Sequence, residues 1–120
     1  MRFFNTSTIL FMFAMLGFIQ ATANDELDIP QRRGDANDNG LVDLNDSLYI
    51  NNYLFNNGPA PSCMDAADAN DDGAVNISDS SYIVNWIYFG GPAPPDPGPT
   101  NCGEDPTADS LTCSSSACEE

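Results

Sequence analysis

The stretch DANDNGLVDLND, residues 35–46, is a polar loop that runs straight into an apolar segment, LYINNYLF, at 48–55. Thirty-three residues on, DANDDGAVNISD at 68–79 leads into YIVNWIYF at 82–89. Sliding 34–61 onto 67–94 matches more than the loops. Asp35, Ala36, Asn37 and Asp38 fall on Asp68, Ala69, Asn70 and Asp71, and Gly40 falls on Gly73. Val42 falls on Val75, Asp46-Ser47 on Asp79-Ser80, Tyr49-Ile50 on Tyr82-Ile83 and Asn52 on Asn85, and both copies end in GPAP. Two copies exclude a long solenoid and predict a packed pair with approximate two-fold symmetry.

Each copy reads as loop, helix, stop. Leu44, Leu48, Tyr49 and Tyr53 recur near the helical period, as do Ile77, Ile83, Trp86 and Ile87, so these residues are expected to face the core. Gly58-Pro59 and Gly90-Gly91-Pro92 are the expected stops, because glycine accepts the left-handed cap and proline cannot continue a helix. Pro30, and then Pro59 and Pro61, leave no room for a full helix before either loop; SCMDAA, 62–67, has room for one turn.

The loops carry a specific oxygen pattern. Counted from Asp35, positions 1, 3, 5, 7, 9 and 12 are Asp35, Asn37, Asn39, Leu41, Asp43 and Asp46, with Gly40 at position 6. Counted from Asp68 they are Asp68, Asn70, Asp72, Ala74, Asn76 and Asp79, with Gly73 at position 6. This is an EF-hand calcium loop with Asp in place of Glu at position 12. Calcium takes six to eight oxygens at about 2.3–2.6 Å. Alternate side chains supply the first three, and the glycine turns the backbone so that the carbonyl of Leu41 or Ala74 can face the ion. Position 9 acts through a water and position 12 closes the far side. Asp43–Asp46 and Asn76–Asp79 are also helix-capping pairs. Capping explains positions 9 and 12 but not 1, 3, 5 and 6 in both copies. Two bound calcium ions are expected.

The remaining composition sets the context. Of 120 residues, 18 are acidic and 3 basic, giving a net charge of -15 without histidine. No basic residue follows Arg33, which argues against nucleic acid and anionic membrane surfaces as partners. Met1-Arg2, the apolar run Ile9–Ile19 and Ala21-Thr22-Ala23 read as a secretory signal, residues 1–23, cut after Ala23. The apolar run is too short to span a bilayer, so no membrane insertion is expected after cleavage. Cys63, Cys102, Cys113 and Cys118 then read as two disulfides in a secreted, periplasmic or cell-surface protein. Three pairings are possible; the turn-rich GEDPTADSLT between Cys102 and Cys113 favours joining those two, leaving Cys63 for Cys118. Pro92–Pro99 is expected to be extended, with no core of its own.

The duplicated loops, with Asp at their ends, and the duplicated helices resemble a dockerin domain over Gly34 to about Pro94. The tail from Gly90 resembles that of dockerin-like repeats in secreted bacterial proteins of planctomycete type. The resemblance implies a calcium-dependent module that docks into a cohesin-type partner, often within a polysaccharide-degrading assembly. Loop positions 10 and 11, Ser-Thr in many members, are Leu44-Asn45 and Ile77-Ser78 here. The resemblance implies two similar docking faces, to be tested at Asn45, Asn51 and Asn52 against Ser78, Val84 and Asn85.

The expected fold is small and all-α: two half EF-hand repeats with pseudo-two-fold symmetry and a Pro-rich, disulfide-stapled tail. The expected division is signal 1–23, lead 24–33, module 34–94 and tail 95–120. The expected function is protein binding by a monomer; the alternative is a structural or calcium-buffering secreted protein without a cohesin partner. An enzyme is not expected. No catalytic or organic-cofactor residues stand out, and the best-placed carboxylates belong to the loops.

Overall fold

The structure, a computed structural model, describes residues 29–118. The signal and the first five residues of the lead lie outside the described residues, as do 119–120. Helix α1 is Leu44–Phe55, the single turn α2 is Met64–Ala67, and α3 is Ile77–Phe89. The described residues form no strand, only isolated antiparallel bridges between Gln31 and Gly103 and between Cys63 and Cys113. The molecule is the small all-α fold expected. Neither loop follows a full helix, and α2 is the one turn for which SCMDAA has room.

Both long helices start in the same way. Asp43 and Asn76 are N-caps with extended backbones, and each closes a capping box with the acid three residues on, Asp46 or Asp79. The ends differ. Gly90 takes the left-handed conformation after α3 (φ 72°), but after α1 the equivalent residue is Asn57 (φ 58°), not the expected Gly58. Asn tolerates this region better than most residues. Gly58 is needed for space instead: a Cβ there would meet the Asn52 backbone at 3.0 Å.

α1 and α3 pack on each other across the pseudo-two-fold axis. At the crossing, Ser47 Oγ and Ser80 Oγ share a hydrogen bond of 2.6 Å, and these small residues let the helices approach closely. Ile50 and Ile83, one helical turn further on, are 0% exposed and sit with Ala36, Ala67 and Ala69. Val42, Tyr49, Leu54 and their counterparts Val75, Tyr82 and Ile87 close around them. Fully burying an isoleucine contributes about 1.5–3 kcal/mol. The helices therefore bury the face 47–50–54, and its partner 80–83–87. The expected apolar stripe is partly outside: Leu44 and Leu48 are 40% and 49% exposed and Ile77 is 50% exposed.

The C-terminal segment folds back across the repeats. Gln31 and Gly103 exchange backbone hydrogen bonds of 2.8 and 3.0 Å, and Arg33 N donates to Gly98 O at 2.9 Å. Met64 N donates to Thr112 O and Ser114 N to Ser62 O, at 2.9 and 2.8 Å. That pairing sets Cys63 opposite Cys113 and corrects the expected connectivity. The disulfides are Cys63–Cys113 and Cys102–Cys118. The choice is made by long-range backbone pairing, which outweighs the local turn signal at 103–112. The Pro-rich stretch is also more than a spacer: Pro94 is buried and its ring lies 3.7 Å from where a Cβ of Gly34 would stand. Gly34 has φ 101°, and Val42 Cγ1 would lie 2.9 Å from that Cβ, so glycine is required there on both counts.

Candidate metal centres

The two loops have the same internal scaffold. Asp35, at position 1, accepts Asn39 N on one oxygen and Gly40 N on the other, at 3.1 and 2.9 Å. Asp68 accepts Asp72 N and Gly73 N at 3.1 and 2.8 Å. At position 12, Asp46 accepts Asn37 N and Asp43 N at 3.1 and 2.8 Å, and Asp79 accepts Asn70 N and Asn76 N at 3.2 and 2.8 Å. The backbone turns through left-handed residues at the same places: Asp38 and Asp71 (φ 61° and 58°), then Gly40 and Gly73 (φ 89° and 88°). Amide hydrogen bonds thus hold the first and last carboxylate of each loop face to face.

The other expected ligands line the same turns. Asn39 Oδ1 accepts Leu41 N at 3.0 Å, and Asp72 Oδ1 accepts Ala74 N at 3.1 Å. Leu41 and Ala74 each follow the left-handed glycine that turns the chain at position 7. Asn70 Oδ1 accepts Asp72 N at 3.2 Å. Asp43 and Asn76 at position 9 accept Asn45 N and Ser78 N, both at 2.9 Å, so they are engaged as helix caps. In the second loop Asp68, Asp72 and Asp79 bring one carboxylate oxygen each to within 4.8 Å of one another. The first loop has only Asp35 and Asp46 in the corresponding direct positions.

These residues fit calcium. The donors are all oxygen, with no thiolate or imidazole, which suits a hard cation. Asn37 Oδ1, at position 3, is buried without a hydrogen-bond partner, as expected of an atom shaped to face an ion. Asp35, Asp46, Asp68 and Asp79 are buried as well. Burial pushes the Asp46 and Asp68 carboxyls up to about 7, against the opposing pull of the loop amides; Asp35 and Asp79 beside them add to the rise. Burial likewise raises Asp35 and Asp79. Facing carboxylates this deeply placed are stable as anions only when a cation sits between them.

Sequence reasoning missed one organiser of this region, Arg33. Its side chain is fully buried. Nη2 pairs with Asp105 Oδ1 at 2.8 Å and lies 3.6 Å from Asp71 Oδ1, while Nη1 lies 3.9 Å from Asp65 Oδ1. The guanidinium also donates to the carbonyls of Asp65 (2.9 Å), Asp68 (3.4 Å) and Asp96 (3.0 Å). It therefore ties the approach to the first loop, the start of the second and the C-terminal segment into one body. The one available signal was that Arg32 and Arg33 are the last basic residues before a long acidic stretch. The C-terminal segment also reaches both loops at position 4. Thr107 Oγ1 donates to Asp71 Oδ1 at 2.8 Å; Ser62 Oγ donates to Asp38 Oδ2 at 3.0 Å, and Ala117 N donates to Asp38 Oδ1.

Comparison with known proteins bears on this geometry. No curated protein and no solved structure matches the chain. Residues 33–87 match the family profile described as the Dockerin type I domain. Dockerin domains in general bind calcium and dock onto cohesin partners outside the cell. The two disulfides agree with an oxidising compartment, and none of the described helices is long and apolar enough to cross a membrane. With two matched loops, each feeding a helix of one packed pair, and a family match spanning both, residues 33–87 are assigned to the dockerin domain family.

Proposed function

We propose that the chain is a secreted protein-binding module whose two calcium ions set two similar helix faces for a cohesin-type partner in an extracellular polysaccharide-degrading or surface assembly. One observation carries this reading. Each loop delivers an apolar residue at the first turn of its helix, Leu44 and Ile77, and both stay exposed although the same helices bury Ile50 and Ile83 completely. Leu41 and Leu48 extend the first patch at 65% and 49% exposure. Asn45 and Ser78 stand exposed beside the apolar residues, with Asn52 and Asn85 further along. Neither helix carries a Lys or Arg, so the partner surface is recognised by apolar contact and neutral hydrogen bonds rather than by ion pairs. Calcium supports the patch indirectly, because the loop fixes the first turn of each helix.

The competing reading is a calcium-buffering or structural protein with no partner, supported by the strong acidity of the chain. Enzymatic activity is not part of either reading. Apart from Asp65 the buried carboxylates serve the loops, the chain has no histidine, and the cysteines among the described residues are all paired. The deciding experiment immobilises the chain and measures binding of cohesin-type domains from the same organism, in calcium and in chelator. Docking predicts calcium-dependent binding that falls at least about tenfold in the Leu44→Asp/Ile77→Asp double variant, roughly 1.4 kcal/mol. Absence of binding, or binding indifferent to chelator and to the double variant, contradicts it.

A further inference from the structure

One acidic cluster lies outside the two loops. Asp65, on α2, faces Asp105 and Asp109 of the C-terminal segment, and the three offer carboxylate oxygens that all lie within 4.8 Å of one another. Crowded carboxylates alone establish nothing, but one atom among them is left over. Asp65 is 4% exposed and its Oδ1 has no hydrogen-bond partner. Arg33 does not meet that need. Its Nη1 stands 3.9 Å away and is occupied by the carbonyls of Asp65 and Asp68, while Nη2 serves Asp105 and the Asp96 carbonyl. Three carboxylates, those of Asp65, Asp71 and Asp105, gather around this single positive charge, and Asp109 stands against them without a pairing to it. A buried carboxylate oxygen with no donor persists only if a proton or a cation is supplied.

We propose that Asp65, Asp105 and Asp109 form a third cation site, for a hard divalent ion such as calcium, which fastens the C-terminal segment to α2. The donor set is carboxylate oxygen only, which suits calcium over softer metals. Asp65 closes the site on the protein side. Asp109 is exposed, so waters complete the coordination from outside. Cys102 and Cys113 flank both tail acids and are each tied down by a disulfide, so the acids are brought to Asp65 without a local loop motif. A neighbouring group, Asp68 with Asp71 and Asp109, is the weaker candidate. Asp68 already belongs to the second loop group, and no carboxylate oxygen of Asp68, Asp71 or Asp109 is among the buried atoms without a partner. With three carboxylates and several waters, the third site is weaker than an all-protein cage, with a dissociation constant on the order of 10⁻⁴–10⁻³ M, as in extracellular modules. The inference does not depend on the docking reading.

The test is equilibrium dialysis of the full, disulfide-bonded chain against radioactive calcium up to millimolar concentration. It is run beside Asp109→Asn, which alters an exposed side chain, and Asp65→Asn. The expected result is three ions in the parent chain and two in each variant, the two retained with the affinities of the parent's tighter sites. Two ions in the parent chain would overturn the proposal while leaving the loop sites intact; that is also what the outcome would be if Asp65 holds a proton in place of a cation. Three ions in the Asp109→Asn variant would overturn it too. Fewer than two in the parent would refute the loop assignment separately.

Discussion

Asp46 and Asp68 are the residues through which the proposed reading makes this fold depend on an ion. Each is buried, each is held by two loop amides, and burial raises each to about 7 from the ordinary 3.8. A carboxyl whose folded value is raised stabilises the calcium-free fold at pH below its ordinary range and loses that contribution as pH climbs through about 7. The calcium-free chain should therefore melt at a higher temperature at pH 5 than at pH 8. Calcium needs the same groups ionised, so its apparent affinity should fall as pH drops below about 7. Calcium titrations at pH 8, 7 and 6 check the second half, and a flat affinity across that range would contradict it. Arg33 gives a second prediction at this scale. Arg33→Met removes the cation from among Asp65, Asp71 and Asp105 and leaves their charges buried, which typically costs about 3–5 kcal/mol. A melt in saturating calcium measures this; a loss under about 1 kcal/mol would show that the ions already neutralise the cluster. The sequence singled out the candidate loop ligands because they lie within twelve residues of each other and obey one spacing. It did not reveal Arg33, whose partners stand 32 to 72 positions away and follow no period.

Among the elements, the loop–helix unit was legible and the buried face of its helix only in part. Counting apolar residues found Ile83, Tyr49 and Ile87, which do face the core, but also pointed to Leu44, Leu48 and Ile77, which are exposed. The real contact begins at Ser47 and Ser80, polar residues that face inward because they satisfy each other at 2.6 Å. A hydropathy pattern scores those serines as surface and so rotates the helix by part of a turn. The two elements also differ in a way that predicts an order of affinity. The second loop presents three direct carboxylates, Asp68, Asp72 and Asp79, whereas Asn39 occupies the matching position of the first. Asp43, the first loop's extra acid, is committed to capping and acts at longer range. Charge in direct contact raises calcium affinity, so the second site should be the tighter. Calcium titrations of Asp35→Ala and Asp68→Ala test this, each variant keeping one loop site. The site left in Asp35→Ala should bind more tightly; equal or reversed affinities would show that loop rigidity outweighs the carboxylate count.

For the molecule as a whole, the main apolar core among the described residues is small: two isoleucines and three alanines with partly buried neighbours, beside a second cluster of Cys63, Ala66 and Cys113. A core of this size does not by itself hold a chain whose acidic loops repel. Three devices supply the rest: the calcium loops, the buried Arg33, and a C-terminal segment locked by Cys63–Cys113 and Cys102–Cys118. The last escaped the sequence because Cys63 and Cys113 are 50 residues apart and meet only through backbone pairing of 62–64 with 112–114. On the proposed reading calcium is the device on which the helices most depend, since the first turns of α1 and α3 are built from the expected ligands. Saturating a site at about 100 times its dissociation constant adds about 2.7 kcal/mol. The most direct test is the far-UV circular dichroism and thermal melt of the disulfide-bonded chain at pH 8, in chelator and then in rising calcium. Loss of most helical signal in chelator, with its return as calcium is added, is the predicted result. A spectrum and melting curve unchanged by chelator would contradict the claim that calcium folds this protein.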